Sequence, residues 1–595
     1  MRLLILLIAG LFLIKVNAQN DALARQYFEN GEFDKALGFY EKLYAQNPER
    51  SDFLQNLIIS YQQMEQYDKV EALLAPFLQK QFYPPQLLIE MGYNHSLKGE
   101  KEIAENYYER ALVMVEENPG YAYSIGDTFR KKSLLNYTLR TYEKSMALTP
   151  STNIKLEIAR IYGELGDVEK MFINYLELIE GSGGYKRTIM NRIGQFLEDN
   201  PESENNQKLK KVLLKKLQSE PDVLWNEMLS WLFIQQKQYK NAFIQEKAIL
   251  KRSDFFFTME RMMDLGVLAK EDRDFEISNT VFNYVIEHSN DRNIILKAHL
   301  LKLEIATENA TEKDYKAIHD DFEKLVQDYG IVAETIPLQI AFARFLAFQY
   351  GQIEEGIAIL RESLDLPVNR YELSKIKINL GDILVYNEKF NQALIYYAQV
   401  QKSLKNDVIA QNARFKVAKT SFYKGDFDWA YTQLKVLRSS TTQLIANDAM
   451  QLSLLISDNS LEDSTKTALK IYAKADLLAY QNKNQDAINL LQEILEKHKG
   501  ERIEDEALLM QAKLFEKQKE YEKAKLNYIK IIEFFGTDIL ADDALFFLAE
   551  LYRKAFNDPE KAKPFYEKII FNHPNSIYFV ESRKTYRLLR GDAIN

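Results

Sequence analysis

Apolar and small residues recur along the chain with the 3.6-residue period of amphipathic helices. Within residues 21–48 the positions that carry this period are Ala24, Tyr27, Gly31, Phe33, Ala36, Tyr40 and Pro48. Residues three or four apart lie on one face of a helix, so this spacing predicts two helices that face each other. Gly31 falls in the turn between them, and Pro48 ends the second helix because proline cannot extend the hydrogen-bond ladder.

This helix-turn-helix pattern recurs every 34 residues, with one step of 33, over five successive units. The small position of the first helix is occupied by Ala24, Ile58, Gly92, Gly126 and Ala159. The turn position is occupied by Gly31, Glu65, Gly99, Ser133 and Gly166. The aromatic position of the second helix is occupied by Tyr40, Leu74, Tyr108, Tyr142 and Tyr175. Regular recurrence predicts a repeat architecture, in which stacked units bury one continuous core.

This series of small residues, aromatics, turn glycine and proline resembles the tetratricopeptide repeat (TPR). The resemblance implies an all-α fold, namely a right-handed superhelical solenoid of TPR-type helix-turn-helix repeats. It also implies a concave inner face that binds protein partners. Some members of the family hold a partner's terminal carboxylate with Lys and Asn on the inner faces of three adjacent repeats. The corresponding positions here are Arg25, Ile59 and Tyr93, which do not match that set.

The C-terminal part of the chain repeats the pattern at a longer spacing. The small position is occupied by Gly381 and then Ala418, 37 residues apart, and by Ala475 and then Ala512, again 37 apart. A last unit has Ala549 at this position. The lengthened form is similar to the helical repeats of periplasmic and outer-membrane assembly factors.

Breaks in the repeat pattern predict three lobes, which follow an N-terminal targeting segment. We expect an N-terminal TPR array over 20–180, a degenerate helical-repeat middle lobe over 185–367 and a C-terminal TPR-like array over 368–595. The glycine-rich segment 181–184 is the expected hinge, because glycine permits backbone conformations that other residues avoid. A second break lies at 367–369, where a proline interrupts the helical pattern.

Residues 1–18 have the composition of a signal peptide. Arg2 supplies the positive charge near the N-terminus, and residues 3–14 form the apolar region. Ala18 is the small residue that precedes the expected cleavage site. An apolar run of this length is short for a membrane span, although an uncleaved anchor helix is the alternative. We therefore expect export, with the periplasm of a Gram-negative bacterium as the destination. The Lys-, Asn-, Ile- and Tyr-rich composition suits an AT-rich, Bacteroidetes-type genome.

Composition narrows the function classes. The chain has 595 residues, a net charge of -9 and no cysteine, which rules out disulfides and thiolate metal sites. The charges are interleaved, so no basic surface for nucleic acid is expected. The basic segment 208–217 predicts an amphipathic helix with a cationic face, which is either a solvated outer face or a contact for an anionic surface or partner.

Motifs for chemistry are missing from the sequence. The histidines are His95, His288, His299, His319, His498 and His573, and no two have the i, i+4 spacing of a helical zinc site. His95 occupies an aromatic position of its repeat, so packing is its expected role. The acidic pairs 320–321, 354–355 and 542–543 fall on predicted helices, where neighbours diverge, so we expect solvated faces. We expect no catalytic, cofactor-binding or metal-binding residue and no cofactor.

The favoured function is a non-catalytic, extracytoplasmic scaffold for protein–protein interaction, built from TPR repeats. Such a scaffold could associate peripherally with a complex of the cell envelope. A structural subunit of a cell-envelope secretion or outer-membrane assembly machine is the first alternative. An enzyme whose site lies between 185 and 367 is a further alternative. A secreted eukaryotic protein is also open, since glycosylation sequons begin at Asn136 and Asn309.

Overall fold

The computed structural model describes residues 20–181, 183–252, 259–405, 407–438, 443–460 and 465–592. In these ranges all regular structure is helical and no strand occurs, which confirms the predicted all-α fold of TPR-type helix-turn-helix repeats. No helix in these ranges has the combination of length and apolar character needed to cross a bilayer. The predicted signal peptide, residues 1–18, lies outside the described residues.

The helices group into two compact units, of which one ends at Ser289 and the other begins at Asn290. The helices of the first unit are α1 (20–29), α2 (Phe33–Gln46), α3 (Ser51–Gln63), α4 (Tyr67–Leu78), α5 (Gln86–Leu97), α6 (Lys101–Glu117), α7 (Ala122–Lys131), α8 (Leu135–Leu148), α9 (Thr152–Glu164), α10 (Val168–Gly181), α11 (Lys186–Gly194), α12 (Glu204–Ser219), α13 (Val223–Gln235), α14 (Tyr239–Arg252), α15 (Glu260–Glu271) and α16 (Phe275–His288). The division into three lobes and the hinge at 181–184 stay predictions.

The second unit continues the same alternation. Its helices are α17 (Arg292–Asn309), α18 (Tyr315–Tyr329), α19 (Ile336–Phe345), α20 (Ile353–Ser363), α21 (Arg370–Tyr386), α22 (Phe390–Ser403), α23 (Val408–Lys424), α24 (Phe427–Leu437), α25 (Gln443–Asp458), α26 (Thr467–Tyr480), α27 (Asn484–Lys497), α28 (Ile503–Lys517), α29 (Tyr521–Phe534), α30 (Ala541–Lys554), α31 (Pro559–Asn572) and α32 (Phe579–Arg590). A π-helical turn, Leu346–Tyr350, follows α19. The additional helix α25 separates the pairs α23/α24 and α26/α27, which is why the 37-residue spacing is interrupted there.

Every turn position predicted from the first five units adopts a left-handed backbone. The residues are Gly31, Glu65, Gly99, Ser133 and Gly166, with φ of 75°, 56°, 84°, 59° and 81°. This conformation ends the first helix and reverses the chain, as when the N–H of Glu32 donates to the carbonyl of Tyr27 at 2.9 Å. The 34-residue period therefore has a direct backbone counterpart.

The small and aromatic positions pack against each other within each pair. A Cβ added to Gly92 would lie 2.6 Å from Cε1 of Tyr108, and one added to Gly381 would lie 2.5 Å from Cε1 of Tyr397. In the middle of the chain, Gly266 meets the ring of Phe282 in the same way. These contacts bring the two helices of a pair close together, which confirms the packing role predicted for the small position.

Candidate partner-binding surface on the first helices

The residue that directly follows the small position projects from the first helix of each pair. We call this set the inner row. In the first unit the inner row includes Arg25, Ile59, Tyr93, Asp127 and Arg160. In the second unit it includes Arg344, Asp382, Lys419, Asp476 and Lys513. The sign of the charge alternates from helix to helix in the second unit only, so neighbouring members can attract each other.

Several of these charges pair within the second unit. Asp382 is the centre of the arrangement, because it accepts a hydrogen bond from Tyr397 Oη at 2.7 Å and from Lys416 Nζ at 2.8 Å. Arg344 Nη1 lies 3.8 Å from Asp382 Oδ2, and Lys419 forms an ion pair with the carboxylate of Asp476. The inner row of the second unit is thus charged but largely self-compensated from α19 to α26.

One helical turn beyond the inner row lie four aromatic residues, one in the π-helical turn after α19 and three on α21, α23 and α26. This aromatic row consists of Phe348, Tyr386, Tyr423 and Tyr480. The ring centroids of Phe348 and Tyr386 are 4.9 Å apart, and those of Tyr423 and Tyr480 are 6.3 Å apart. The rings are only partly buried, and Tyr480 is 37% exposed. Half-exposed tyrosine combines a large apolar area with a polar tip, which is typical of protein interfaces.

Hydrogen bonds between α21 and α26 hold the aromatic row in place. Gln481 Nε2 donates to the carbonyl oxygen of Tyr386 at 2.9 Å and to Glu388 Oε1 at 3.0 Å. Tyr386 Oη donates in return to the carbonyl of Gln481 at 3.3 Å, and Tyr480 Oη donates to the carbonyl of Asp382 at 3.3 Å. Burial raises the pKa values of Tyr386, Tyr423 and Tyr480 above that of a free phenol, which is itself protonated at neutral pH.

The first helices α28 and α30 present desolvated carboxyl groups on the side that carries Lys513. Burial raises the pKa of Glu506 to about 9, with further increases from the neighbouring Asp505. Burial also raises the pKa of Asp543, which accepts a hydrogen bond from Tyr578 Oη at 2.9 Å. The prediction that the pair 542–543 is a solvated face is therefore wrong for Asp543. Periodicity places a residue on a helix face but does not reveal what the neighbouring helices bury.

In the first unit, a buried ion pair links three first helices. Lys132 Nζ lies 2.8 Å from Glu90 Oε2, with both side chains at least 90% buried. The same ammonium donates to Gln62 Oε1 at 3.4 Å and lies 4.6 Å from the ring centroid of Tyr93. The inner-row residue Tyr93 therefore serves as a cation–π partner here. This cluster joins α3, α5 and the end of α7.

His95, His319 and His573 take structural positions. His95 stacks on Tyr107 with centroids 5.5 Å apart, and its Nδ1 lies 2.6 Å from Glu100 Oε2. Glu71 also approaches, but Lys98 Nζ lies 2.7 Å from Glu71 Oε1 and supplies the cation for this cluster. The ring of His319 stacks on Tyr350 at 4.6 Å, and its acidic neighbours 320 and 323 are exposed. His573 forms the C-cap of α31, as expected at a helix end.

The basic segment 208–217 forms most of α12, with Leu209, Val212 and Leu213 on its buried side. Part of its charge is compensated within the chain, since Lys216 Nζ lies 2.7 Å from Glu180 Oε2 and Lys208 Nζ 2.6 Å from Glu204 Oε1. The amphipathic helix is confirmed. Its role as a solvated face or as a contact for an anionic partner stays open.

Comparison with protein families identifies TPR units in both parts of the chain. Models described as Tetratricopeptide repeat match residues 27–81, 472–526 and 543–576. The chain therefore contains TPR repeats, as the residue pattern predicted. A comparison with curated protein sequences gives no significant match.

Two solved structures share the helical character of the chain at low similarity. A chain of the "Crystal structure of APC/C hetero-tetramer Cut9-Hcn1" is 12% identical, with 96% of each chain covered and a TM-score of 0.24. A chain of the "Structure of Naa15/Naa10 bound to HypK-THB" is 13% identical, with 96% of this chain and 92% of that chain covered and a TM-score of 0.29. At these scores neither likeness bears on how this protein works.

Proposed function

We propose that this protein is a non-catalytic scaffold that binds protein partners outside the cytoplasm, through the first-helix surface of its second unit. The observation that carries the proposal is the aromatic row, formed by Phe348, Tyr386, Tyr423 and Tyr480. Four large rings at one register of successive first helices give a partner a continuous surface that is partly apolar and partly hydrogen-bonding. Tyrosine is enriched at the positions that dominate binding energy in protein interfaces.

The charges beside the aromatic row support recognition of a polypeptide. Arg344 is exposed, and its guanidinium lies 5.0 Å from the centroid of Phe348. Lys419 and Asp476 lie one turn before Tyr423 and Tyr480 on the same helices. A partner segment that covers the rings would therefore also meet groups of both signs, and complementary charges favour one orientation of binding over another.

Partner capture from native cell extracts, followed by mass spectrometry, tests this proposal. The bait is the full chain, compared with the variant Tyr423→Ala/Tyr480→Ala. Because truncation of a central aromatic residue costs about 2 kcal/mol or more in a protein interface, we expect captured partners to fall at least about tenfold. The matched control is Tyr431→Ala/Tyr396→Ala, which removes two partly buried tyrosines from the second helices α24 and α22. Equal capture by both variants would refute the proposed surface.

The proposed location outside the cytoplasm depends on residues 1–18. Intact mass spectrometry of the protein recovered from the native host tests it. Cleavage after Ala18 predicts a mature chain that begins with Gln19 and is found in the periplasmic fraction. A chain that retains Met1 and stays with the cytoplasmic fraction would contradict export.

A further inference from the structure

A cavity of about 440 Å³ lies in the first unit, between the pair α9/α10 and the segment that begins with α11. Its apolar lining includes the buried Met171 and Tyr175 and the partly buried Phe196. Gly163 completes the wall, since a Cβ there would lie 2.8 Å from Met171 Sδ and 3.4 Å from Phe196 Cζ. The cavity is within the size range of small-ligand sites, which combine an apolar lining with a few polar groups.

The cavity exists because α11 is short. It ends at Gly194 after nine residues, and the chain then continues without a helix until α12 begins at Glu204. The turn that follows α11 brings Gln195 and Phe196 opposite α9. A longer first helix at this place would cover the side of α9 that carries Arg160 and Gly163.

Two arginines line the cavity, and one of them has unused donors. Arg192 is partly buried, and it has no ion-pair or hydrogen-bond partner in the described part of the chain. Arg160 is already paired, since its Nη2 lies 2.6 Å from Glu157 Oε2 and its Nε lies 3.6 Å from Glu164 Oε1. The lining carboxylate, Glu164, is already held by Arg130, whose Nη2 lies 2.7 Å from Glu164 Oε1. Of the two lining arginines, Arg192 is therefore the one whose donors lack an acceptor among the described residues.

We propose that this cavity binds a carboxylate attached to an apolar group, with Arg192 as the ligand of the carboxylate. A guanidinium presents its N–H groups in a planar fork that matches a carboxylate. Met171, Tyr175 and Phe196 would enclose the apolar part. The carboxylate can belong to an acidic residue next to an apolar one in a partner segment, or to a free organic acid. The site shares no residue with the aromatic row and does not depend on it.

Isothermal titration calorimetry of the full chain with 4-phenylbutyrate tests the site. We expect saturable binding, and 4-phenylbutanamide should bind far more weakly because it has the same shape without the charge. The Arg192→Gln variant should weaken phenylbutyrate binding by about 10- to 150-fold, the range expected for a lost charged hydrogen bond. The control is Arg187→Gln, an exposed arginine of the same helix outside the cavity lining, which should leave binding unchanged.

Two outcomes of this titration would overturn the proposal. One is no binding of phenylbutyrate at millimolar concentration, and the other is equal binding to Arg192→Gln and the parent chain. A second variant, Gly163→Leu, places a side chain in the cavity and should abolish phenylbutyrate binding. Its circular dichroism spectrum should stay helical. Unchanged binding by this variant would also refute the site. An acetylated, amidated Leu-Glu-Leu peptide distinguishes the two possible sources of the carboxylate. If this peptide binds more tightly than phenylbutyrate, the ligand is a partner segment, and if it binds more weakly, the ligand is a small organic acid.

Discussion

Gly126 in α7 lies so close to the ring of Tyr142 in α8 that a methyl group has no room between them. A Cβ built on Gly126 would be 2.6 Å from Cζ and 2.8 Å from Oη of Tyr142. Both residues are at positions that the 34-residue repeat singles out. The aromatic ring fills the space that the missing side chain leaves, and this contact sets how closely the two helices approach.

Replacement of this glycine should destabilise the first unit. Gly126→Ala should lower the free energy of unfolding by about 1–3 kcal/mol, because extra volume in a packed core displaces neighbours. Chemical denaturation followed by circular dichroism measures this loss. The control is Gly38→Ala on α2, where an added Cβ meets nothing within 4 Å. That change should stabilise by about 0.5–1 kcal/mol, since alanine loses less backbone entropy in a helix. Equal effects of both changes would contradict the assigned packing.

The sequence revealed local features more reliably than long-range ones. The left-handed residues, such as Glu65 and Ser133, and the glycine–tyrosine contacts follow from spacing within one helix pair, so a period is sufficient to find them. The aromatic row was missed because it depends on which distant helices meet. The rings of Tyr386 and Tyr480 are in contact, although α23 lies between their helices in the chain. The insertion of α25 changes the sequence spacing of the repeats, so the spacing alone does not show that the two tyrosines occupy the same repeat position. The partial burial of Asp543 was missed for the same reason.

The buried pair of Lys132 and Glu90 should be essential for the first unit. Lys132→Met removes the cation and leaves a carboxylate without a partner in a buried site. Such a loss costs about 3–5 kcal/mol, and denaturant titration should detect it as a lower midpoint. The double variant Lys132→Met/Glu90→Met replaces both charges by apolar groups and should recover most of the stability.

An exposed ion pair provides the comparison for this result. Arg140 and Glu109 are about half exposed, and Arg140 Nη1 lies 2.6 Å from Glu109 Oε1. Arg140→Met should cost less than about 1 kcal/mol, because water already solvates both groups. If Lys132→Met cost no more than Arg140→Met, the buried pair would not have the role assigned to it.

Glu506 should make the second unit less stable at high pH. Its pKa in the folded chain is raised to about 9 by burial, from an ordinary value of about 4.3. Between these two values the unfolded chain releases the proton that the folded chain keeps, so the free energy of unfolding falls as pH rises. The groups around the carboxyl are Asp505, Tyr472 and Asn459, whose Nδ2 donates to Glu506 Oε1 at 3.2 Å.

The substitution Glu506→Gln tests this pH dependence, because the amide cannot ionise. Thermal unfolding should give similar midpoints for variant and parent at pH 4, and a higher midpoint for the variant at pH 8. The control Glu533→Gln changes an exposed carboxylate on α29 and should leave the pH profile of the parent unchanged. A parent whose midpoint does not fall from pH 5 to pH 8 would disprove the assignment.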